Sequence, residues 1–355
     1  MNLNFIEKHM DRLKTIKTFS ILGDSMQKWG NGSEKETFNS FVAGEFYDRM
    51  QTAILGAKAH NGWFSKESVM ESFSAIGESL SEENLSNWLT KYPVVKSPKS
   101  VGLILAGNIP LVGFHDILST IFSGNIANIK LSSDDKVLIP LLLEIVVALQ
   151  PELLTQINLV ERLNDVEAVI ATGSDNTARY FEKYFGHLPC VIRKNRTSVA
   201  VITGNETPEE LTELGKDIFT YYGLGCRNVS HLLLPKDYNL DNIFGAIVGF
   251  GEVINHHKYC NNYDYYKAVY LMNQEKIIEN GFMLTREIKE LFAPVAVLHY
   301  HFYESEEEMN AYLKEHEDKI QAIVGKDFIP FGAAQNPALD DYADGVDTMA
   351  FLTGL

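Results

Sequence analysis

Between residues 100 and 203, short apolar runs alternate with longer amphipathic stretches, and this alternation most narrows what the chain can fold into. "SVGLILAG" is continuously apolar and ends in glycine, as a strand covered on both faces of a parallel sheet does. A helix-like stretch over 111–122 follows, closed by Gly124. "IANIKLS" reads as the next strand and 135–149 as the next helix. "QINLVERL" and "VEAVIATGS" read as strands, and "DNTARYFEKYF" as a helix with Ser174 or Asp175 at its N-cap. "CVIRKN" and "SVAVIT" complete the series as strands. Parallel strands need crossovers, and helices supply them, so the expected class is α/β with a doubly wound layer.

A chain of 355 residues exceeds one ordinary core, which predicts more than one domain. Residues 1–95 read as mostly helical, beginning with the amphipathic "MNLNFIEKHMDRLKTIKTF". A second α/β unit starts near 204, where "TPEELTELGKDIFTYYG" carries a Thr207/Glu210 capping box and Pro208 in its first turn. "HLLLP", "KAVYLMN" and "PVAVLHYHFY" are its expected strands; "LDNIFGAIVGFGEVIN" and "SEEEMNAYLKEHEDKI" are its expected helices. The expected division is 1–203, a cofactor-type layer with its preceding helices; 204–330, a catalytic unit; and 331–355, a segment packing back on the body.

The formal charge of −16 argues against nucleic acid as a partner, because phosphate-binding surfaces are basic. The longest apolar stretch, "VLIPLLLEIVVAL", is broken by Pro140 and Glu144 and is shorter than the roughly 20 residues of a membrane span. No signal-peptide pattern opens the chain. Three cysteines are too few for a disulfide framework, and with no CxxC pair the expected compartment is the reducing cytoplasm.

One of the three, Cys226, sits in "YYGLGCRNVS" among glycines that leave a thiol open to approach. Taken alone it fits two readings, a small buried hydrophobe or a nucleophile. Asn108 after a strand fits a turn, Lys130 a strand-end surface charge and Glu290 a solvated charge. His231, five residues after Cys226, fits a proton donor or strand surface. His256, His257 and Cys260 lack a zinc spacing, and no metal is expected; Cys190 and Cys260 read as structural. No GxGxxG follows any strand usefully.

As an ordered set these segments say more. "AGNIP", "SGNIANIKLS", "ATGS", "GLGC" and "ELFAP" occur in the order and spacing of the aldehyde dehydrogenase superfamily, and resemble its N-F-P, G-N-x-V-x-K-P-S, F-T-G-S, G-Q-x-C and E-x-F-G-P segments over residues 100–295. Within it, "YYGLGCRNVSHLLLP", "KYCNNYDYYKA" and "NPALDDYADGVDTMAFL" resemble the acyl-CoA reductase family, that of the reductase subunit of the bacterial bioluminescence fatty acid reductase. The resemblance implies an aldehyde-dehydrogenase-like fold, with a Rossmann-type cofactor domain and an α/β catalytic domain. It implies Cys226 as nucleophile and Asn108 as oxyanion donor. Lys130, Ser132, Gly173 and Ser174 would hold the nicotinamide cofactor, with Glu290 on the nicotinamide ribose and Phe292 beside the ring.

The implied reaction is reduction of a fatty acyl-CoA, or of an acyl-protein thioester, to aldehyde. The alternatives are oxidation of aldehyde to acid, or cofactor-independent acyl transfer or thioester hydrolysis on Cys226. The departures favour reduction. Arg193 in "RKNRTSVAV" stands where hydrolytic relatives carry the glutamate that activates water, and Leu224 replaces a glutamine. Ser133 replaces the acidic residue at the adenine ribose, which points to NADP, with NAD as the alternative and Asp134 next door. A homo-oligomer follows from fold analogy alone.

Overall fold

The structure, a computed structural model, describes residues 3–355. The first two residues of the amphipathic N-terminal reading lie outside them. The chain divides into two compact units. One comprises the chain up to Lys194 together with Ala338–Leu355; the other is Asn195–Pro337.

The first unit opens with helices α1 (Leu3–Gly30), α2 (Ser40–Glu45), α3 (Tyr47–His60), α4 (Lys66–Ser79) and α5 (Glu82–Leu89). Phe19, Leu22, Met26 and Trp29 recur at three- and four-residue intervals on α1 and are all buried, which is the periodicity of one helix face. Ser65 and Ser81 cap α4 and α5 by accepting the N–H groups of Ser68 and Asn84.

The alternating region then gives β1 (Ser100–Ile104), α6 (Phe114–Ser123), β2 (Ile126–Lys130), α7 (Leu138–Leu149), β3 (Ile157–Leu159), β4 (Ala168–Thr172), α8 (Asp175–Phe185) and β5 (Cys190–Arg193). All five strands are parallel, in the order β3-β2-β1-β4-β5. The chain winds outward from β1 through β2 to β3, then returns to the other side of β1 with β4. The reversal leaves a crevice at the carboxyl ends of β1 and β4. The "VLIPLLLEIVVAL" stretch is α7, an interior helix that buries Leu138, Ile139, Leu142, Ile145 and Val146; Pro140 is accommodated in its first turn. Among the described residues no helix is long and apolar enough to cross a membrane.

The second unit contains β6 (Thr197–Val201), α9 (Pro208–Phe219), β7 (Val229–Pro235), α10 (Asp241–Ala246), α11 (His257–Met272), β8 (Ile278–Glu279), β9 (Leu284–Glu287), β10 (Val297–Tyr303), α12 (Glu306–Glu315) and β11 (Ile320–Val324). Its sheet runs β11-β6-β7-β10-β9-β8, parallel except for β8 against β9. The Thr207/Glu210 capping box forms as its sequence demands.

Three local expectations differ. "SVAVIT" is β6, which pairs with β7 and β11 of the second sheet and so leaves the first layer at β5. "KAVYLMN" is the end of α11, because its tyrosines continue the helical spacing Tyr259, Tyr263, Tyr270, all buried. "LDNIFGAIVGFGEVIN" is helical only to Ala246 and tightens into a 3-10 segment at Val248–Asn255, where glycines weaken the wider helix.

The C-terminal segment, ending in α13 (Thr348–Thr353), belongs to the first unit. Trp88 Nε1 donates to Tyr342 Oη at 2.8 Å and Asn125 Nδ2 donates to the Leu352 carbonyl at 2.9 Å.

Candidate active site

In the first unit, the loops after β1, β2 and β4 bring five of the singled-out residues to the carboxyl edge of the sheet. Asn108 is exposed in the loop after β1. Its neighbours are fixed from below: Asn61 Nδ2 donates to the Gly107 carbonyl at 3.1 Å, Ser72 Oγ to the Pro110 carbonyl at 2.9 Å, and the Leu111 N–H to Asp135 Oδ2 at 3.0 Å. Lys130 is half-buried at the end of β2, in register with Ile104 of β1. Ser132 lies where a Cβ on Gly107 would need to be, 2.5 Å from its Oγ, so these two loops meet only because residue 107 is glycine.

After β4, Gly173 and Ser174 turn the chain into α8. Ser174 is the N-cap, its Oγ accepting the Thr177 N–H at 3.3 Å. A Cβ on Gly173 would come within 3.1 Å of the Thr177 and Phe181 side chains. This places a tight, uncluttered turn and the N-terminus of an 11-residue helix at the β1/β4 reversal, a site suited to phosphate. Ser133 and Asp134 are exposed beside Ser132.

Arg193 is not available to act as a base or to meet solvent. It is buried at the end of β5, paired with Asp116 of α6, and its Nη2 donates to Thr348 Oγ1 at 2.9 Å.

In the second unit, Cys226 is half-buried in the segment that enters β7. The chain arrives from α9 through three successive left-handed residues, Tyr221 (φ 53°), Tyr222 (φ 59°) and Gly223 (φ 76°). Two bulky residues in that region carry strain, which persists only if the surroundings fix it. Asn228 does so. Buried, it donates from Nδ2 to the carbonyls of Thr220 (2.8 Å) and Asp217 (3.0 Å), and its Oδ1 accepts the Gly225 N–H at 2.8 Å. Ser198 Oγ donates to the Cys226 carbonyl at 3.0 Å. Arg227 Nε donates to the Ala334 carbonyl at 2.6 Å, while the Asp217 carboxylate accepts the N–H groups of Gly332 and Ala334. Burial drives the Asp217 carboxyl up to about 6, against those two bonds.

Glu290 and Phe292 are exposed on the segment between β9 and β10. Cys226 and Glu290 thus precede two adjacent parallel strands, and His231 of β7 donates through Nδ1 to the Glu290 carbonyl at 3.1 Å. His231 is neither proton donor nor strand surface. It is buried, its Nε2 lies 2.7 Å from His301 Nδ1, and burial lowers its pKa to about 3, so near neutrality it is the neutral imidazole, whose one N–H is engaged by the Glu290 carbonyl.

His256 and His257 lie at the start of α11, with rings stacked at 5.2 Å. Among the described residues no cluster of metal-ligating side chains forms. A separate open depression of about 720 Å³ is lined by Leu271, Glu275, Arg286 and Tyr300. Arg286 pairs there with Glu275 and stacks on Tyr270, and none of the three cysteines lines it.

Sequence reading missed Asn228, Asp217 and Asp135, which act on backbone groups rather than on a ligand. It also passed over the "HYH" of β10, whose alternation puts His299 and His301 on one strand face.

Residues 11–242 match the family model of the acyl-CoA reductases (LuxC). The chain belongs to this acyl-CoA reductase family. No curated protein sequence matches it. Solved structures with the same fold include the Mycobacterium tuberculosis aldehyde dehydrogenase complexed with NAD+, at 14% identity over 91% of this chain and 75% of that one, TM-score 0.59. Aldehyde dehydrogenase 21 from Physcomitrella patens, in complex with the reaction product succinate, aligns at 12% identity over 94% and 79%, TM-score 0.61. The P. syringae AldA indole-3-acetaldehyde dehydrogenase, in complex with NAD+ and IAA, aligns at 13% identity over 93% and 74%, TM-score 0.60. The fold of this acyl-CoA reductase family member is therefore aldehyde-dehydrogenase-like α/β, and its chemistry is oxidoreduction of the acyl and aldehyde type.

Proposed function

We propose that the protein reduces a fatty acyl-CoA to the aldehyde at the expense of reduced nicotinamide, through an acyl-thioester on Cys226. The observation that carries this reading is the half-buried Cys226 in a turn whose strained approach is fixed by Asn228, in a chain of the acyl-CoA reductase family. The Cys226 thiolate attacks the thioester carbonyl. The bond from that carbon to the CoA sulfur breaks, and CoA leaves as a thiolate that takes up a proton. Asn108 and the Cys226 N–H serve as oxyanion donors, each donor of this kind being worth about 10²–10³ in rate.

The cofactor's fit rests on the first unit. The Gly173–Ser174 turn and the α8 N-terminus suit a pyrophosphate, Lys130 and Ser132 lie at the same sheet edge, and exposed Ser133 leaves room for the 2′-phosphate of NADP. When bound, reduced nicotinamide would supply a hydride to the acyl-enzyme carbonyl carbon, leaving a tetrahedral oxyanion. As that oxygen re-forms the carbonyl, the carbon–sulfur bond breaks, and Cys226 returns as thiolate with release of aldehyde. Glu290 would hold the nicotinamide ribose and Phe292 would flank the ring, both being exposed in this structure. Hydrolysis to acid is disfavoured because Arg193, at the slot of the water-activating glutamate, is locked in a buried ion pair. We also place the activity in the cytoplasm, where Cys190, Cys226 and Cys260 stay reduced, and in a homo-oligomer.

The test follows reduced-nicotinamide absorbance on addition of palmitoyl-CoA, with NADPH and NADH in parallel and Cys226→Ala as control. Loss of absorbance with aldehyde formation in the wild type and none in the variant is the expected result. Acylation of Cys226 with no nicotinamide consumed would replace the reading by acyl transfer.

A further inference from the structure

Three successive carbonyls between β9 and β10 are each met by a side chain from another element. Tyr312 Oη of α12 donates to the Lys289 carbonyl at 2.9 Å. His231 Nδ1 of β7 and His299 Nδ1 of β10 both donate to the Glu290 carbonyl, at 3.1 and 2.9 Å. Ser230 Oγ of β7 approaches the Leu291 carbonyl at 3.4 Å. No regular strand satisfies this segment, yet all three acceptors are held from beneath, while Glu290 and Phe292 stay exposed on top.

The bonds also fix the imidazole tautomers. A carbonyl oxygen only accepts, and with two lone pairs it accepts twice, so His231 and His299 both carry their proton on Nδ1. A neutral His231 then has a deprotonated Nε2. The ring nitrogen 2.7 Å away, His301 Nδ1, must be the donor. His299 Nε2, buried without a partner, is likewise the deprotonated nitrogen. The chain is directional: His301 to His231 to the Glu290 carbonyl, with His299 as the second donor. Filling this space with three imidazoles is a poor choice for packing alone, because apolar residues would bury there without losing hydration of ring nitrogens. Such a departure from simple core composition is expected where position matters more than stability.

We propose that His231 and His299, supported by His301 and Tyr312, are positioning residues that hold the Glu290–Phe292 segment rigid for the nicotinamide end of the cofactor. This rests on the reading of Glu290 as a cofactor-binding carboxylate. It makes the imidazoles specific to cofactor binding, with no part in acyl transfer to Cys226.

The experiment compares the full-length wild type with His299→Leu, His299→Asn and Tyr312→Phe. Asparagine places an amide N–H where the Nδ1 proton was; leucine does not. Hydrogen exchange of peptides covering 288–296 is measured in the cofactor-free protein, NADPH affinity by titration, and Cys226 acylation by the mass gained from palmitoyl-CoA. Faster exchange confined to 288–296 is expected in His299→Leu and Tyr312→Phe. NADPH affinity should fall about five- to tenfold, the value of one net hydrogen bond. Acylation should stay unchanged, and His299→Asn should restore both readouts. Unchanged exchange in both loosening variants overturns the proposal. So does loosening spread over the whole second unit, a failure of asparagine to rescue, or a looser segment that binds NADPH as tightly as before. A wild type that binds no reduced nicotinamide brings down the cofactor reading itself; the exchange data, which need no cofactor, tell that failure apart.

Discussion

Asp135 accepts the backbone N–H of Leu111 at 3.0 Å, and Leu111 sits at φ 60°, a conformation that leucine rarely adopts. The carboxylate thus helps to fix the loop that presents Asn108. Burial pushes the Asp135 carboxyl up to about 6, although bonds from Leu111 and Leu138 pull it down. A carboxyl raised above its unfolded value contributes most below that value, and the contribution is lost as pH rises through 6. The stability lead of the wild type over Asp135→Ala should therefore be larger at pH 4.5 than at 7.5. The full change across both pKa values is at most about 3 kcal/mol, read from urea midpoints. A lead that grows with pH would refute the assignment. At neutral pH the variant should also lose about tenfold or more in acylation rate, as the Asn108 loop relaxes.

Asn228→Ala removes two donors and one acceptor that together hold the approach to Cys226. The backbone groups left behind are buried, so the expected loss is about 2–4 kcal/mol. Asn228→Asp is expected to be worse, because it turns a carboxylate oxygen toward two carbonyl oxygens. Urea unfolding measures the stability. The rate of Cys226 alkylation in the folded protein measures whether the thiol stays in place. An alanine variant with wild-type stability and alkylation would show that the turn holds itself.

What the sequence disclosed follows from how local each signal is. The strand–helix alternation, the Ser174 cap and the Thr207/Glu210 box are all contained within a few residues, and the strands of the first sheet form where the apolar runs lie. "SVAVIT" has the same texture as the strands before it; only its partners, β7 and β11, decide its sheet, and those lie far along the chain. "KAVYLMN" is equally apolar as strand or helix, and the tyrosine spacing upstream settles it. Asn108, Lys130, Ser132, Gly173 and Ser174 could be grouped in the sequence by the ordered family resemblance, and the parallel sheet then accounts for the grouping, because each lies at or just after the carboxyl end of a strand. Asp135 and Asn228 could not, since an acid or amide in a polar turn announces nothing about which backbone group it will meet.

The imidazoles beneath Glu290 predict an acid-sensitive fold. Burial lowers the His301 pKa to about 4, and the positive charge of Lys289 adds to this. An unfolded histidine takes its proton near 6.5, so the folded state refuses a proton that the unfolded chain accepts. Such a group contributes fully above 6.5, and its contribution is lost as pH falls toward 4. The wild-type lead over His301→Leu should shrink by about 2–3 kcal/mol between pH 7 and 4, allowing for partial screening. The constant loss of the His231–His301 bond in the variant cancels from this trend. A lead that is level across that range would show that His301 takes its proton as readily in the fold as in the unfolded chain, and that burial does not hold it neutral.

Arg193 and Asp116 form a buried pair, their side chains 7% and 6% exposed, and Asp116 Oδ1 has no hydrogen-bond partner. Removing the cation alone leaves a buried carboxylate without its charge partner. Arg193→Met is therefore expected to cost about 3–5 kcal/mol. The double variant Arg193→Met/Asp116→Leu removes both charges and should recover most of that loss, since apolar pairs often replace buried ion pairs at little cost. The same geometry bears on the reaction. If position 193 merely lacked a catalytic glutamate, Arg193→Glu would be expected to open a route to free acid. The structure predicts otherwise: the new carboxylate would face Asp116 inside the first unit, where two adjacent buried carboxylates cannot both ionise. Product analysis after palmitoyl-CoA addition should show no gain in free fatty acid, alongside a lower unfolding midpoint. A rise in fatty acid release from a stably folded Arg193→Glu protein would show that the side chain reaches the reacting acyl group, and that the ion pair with Asp116 is not its resting place.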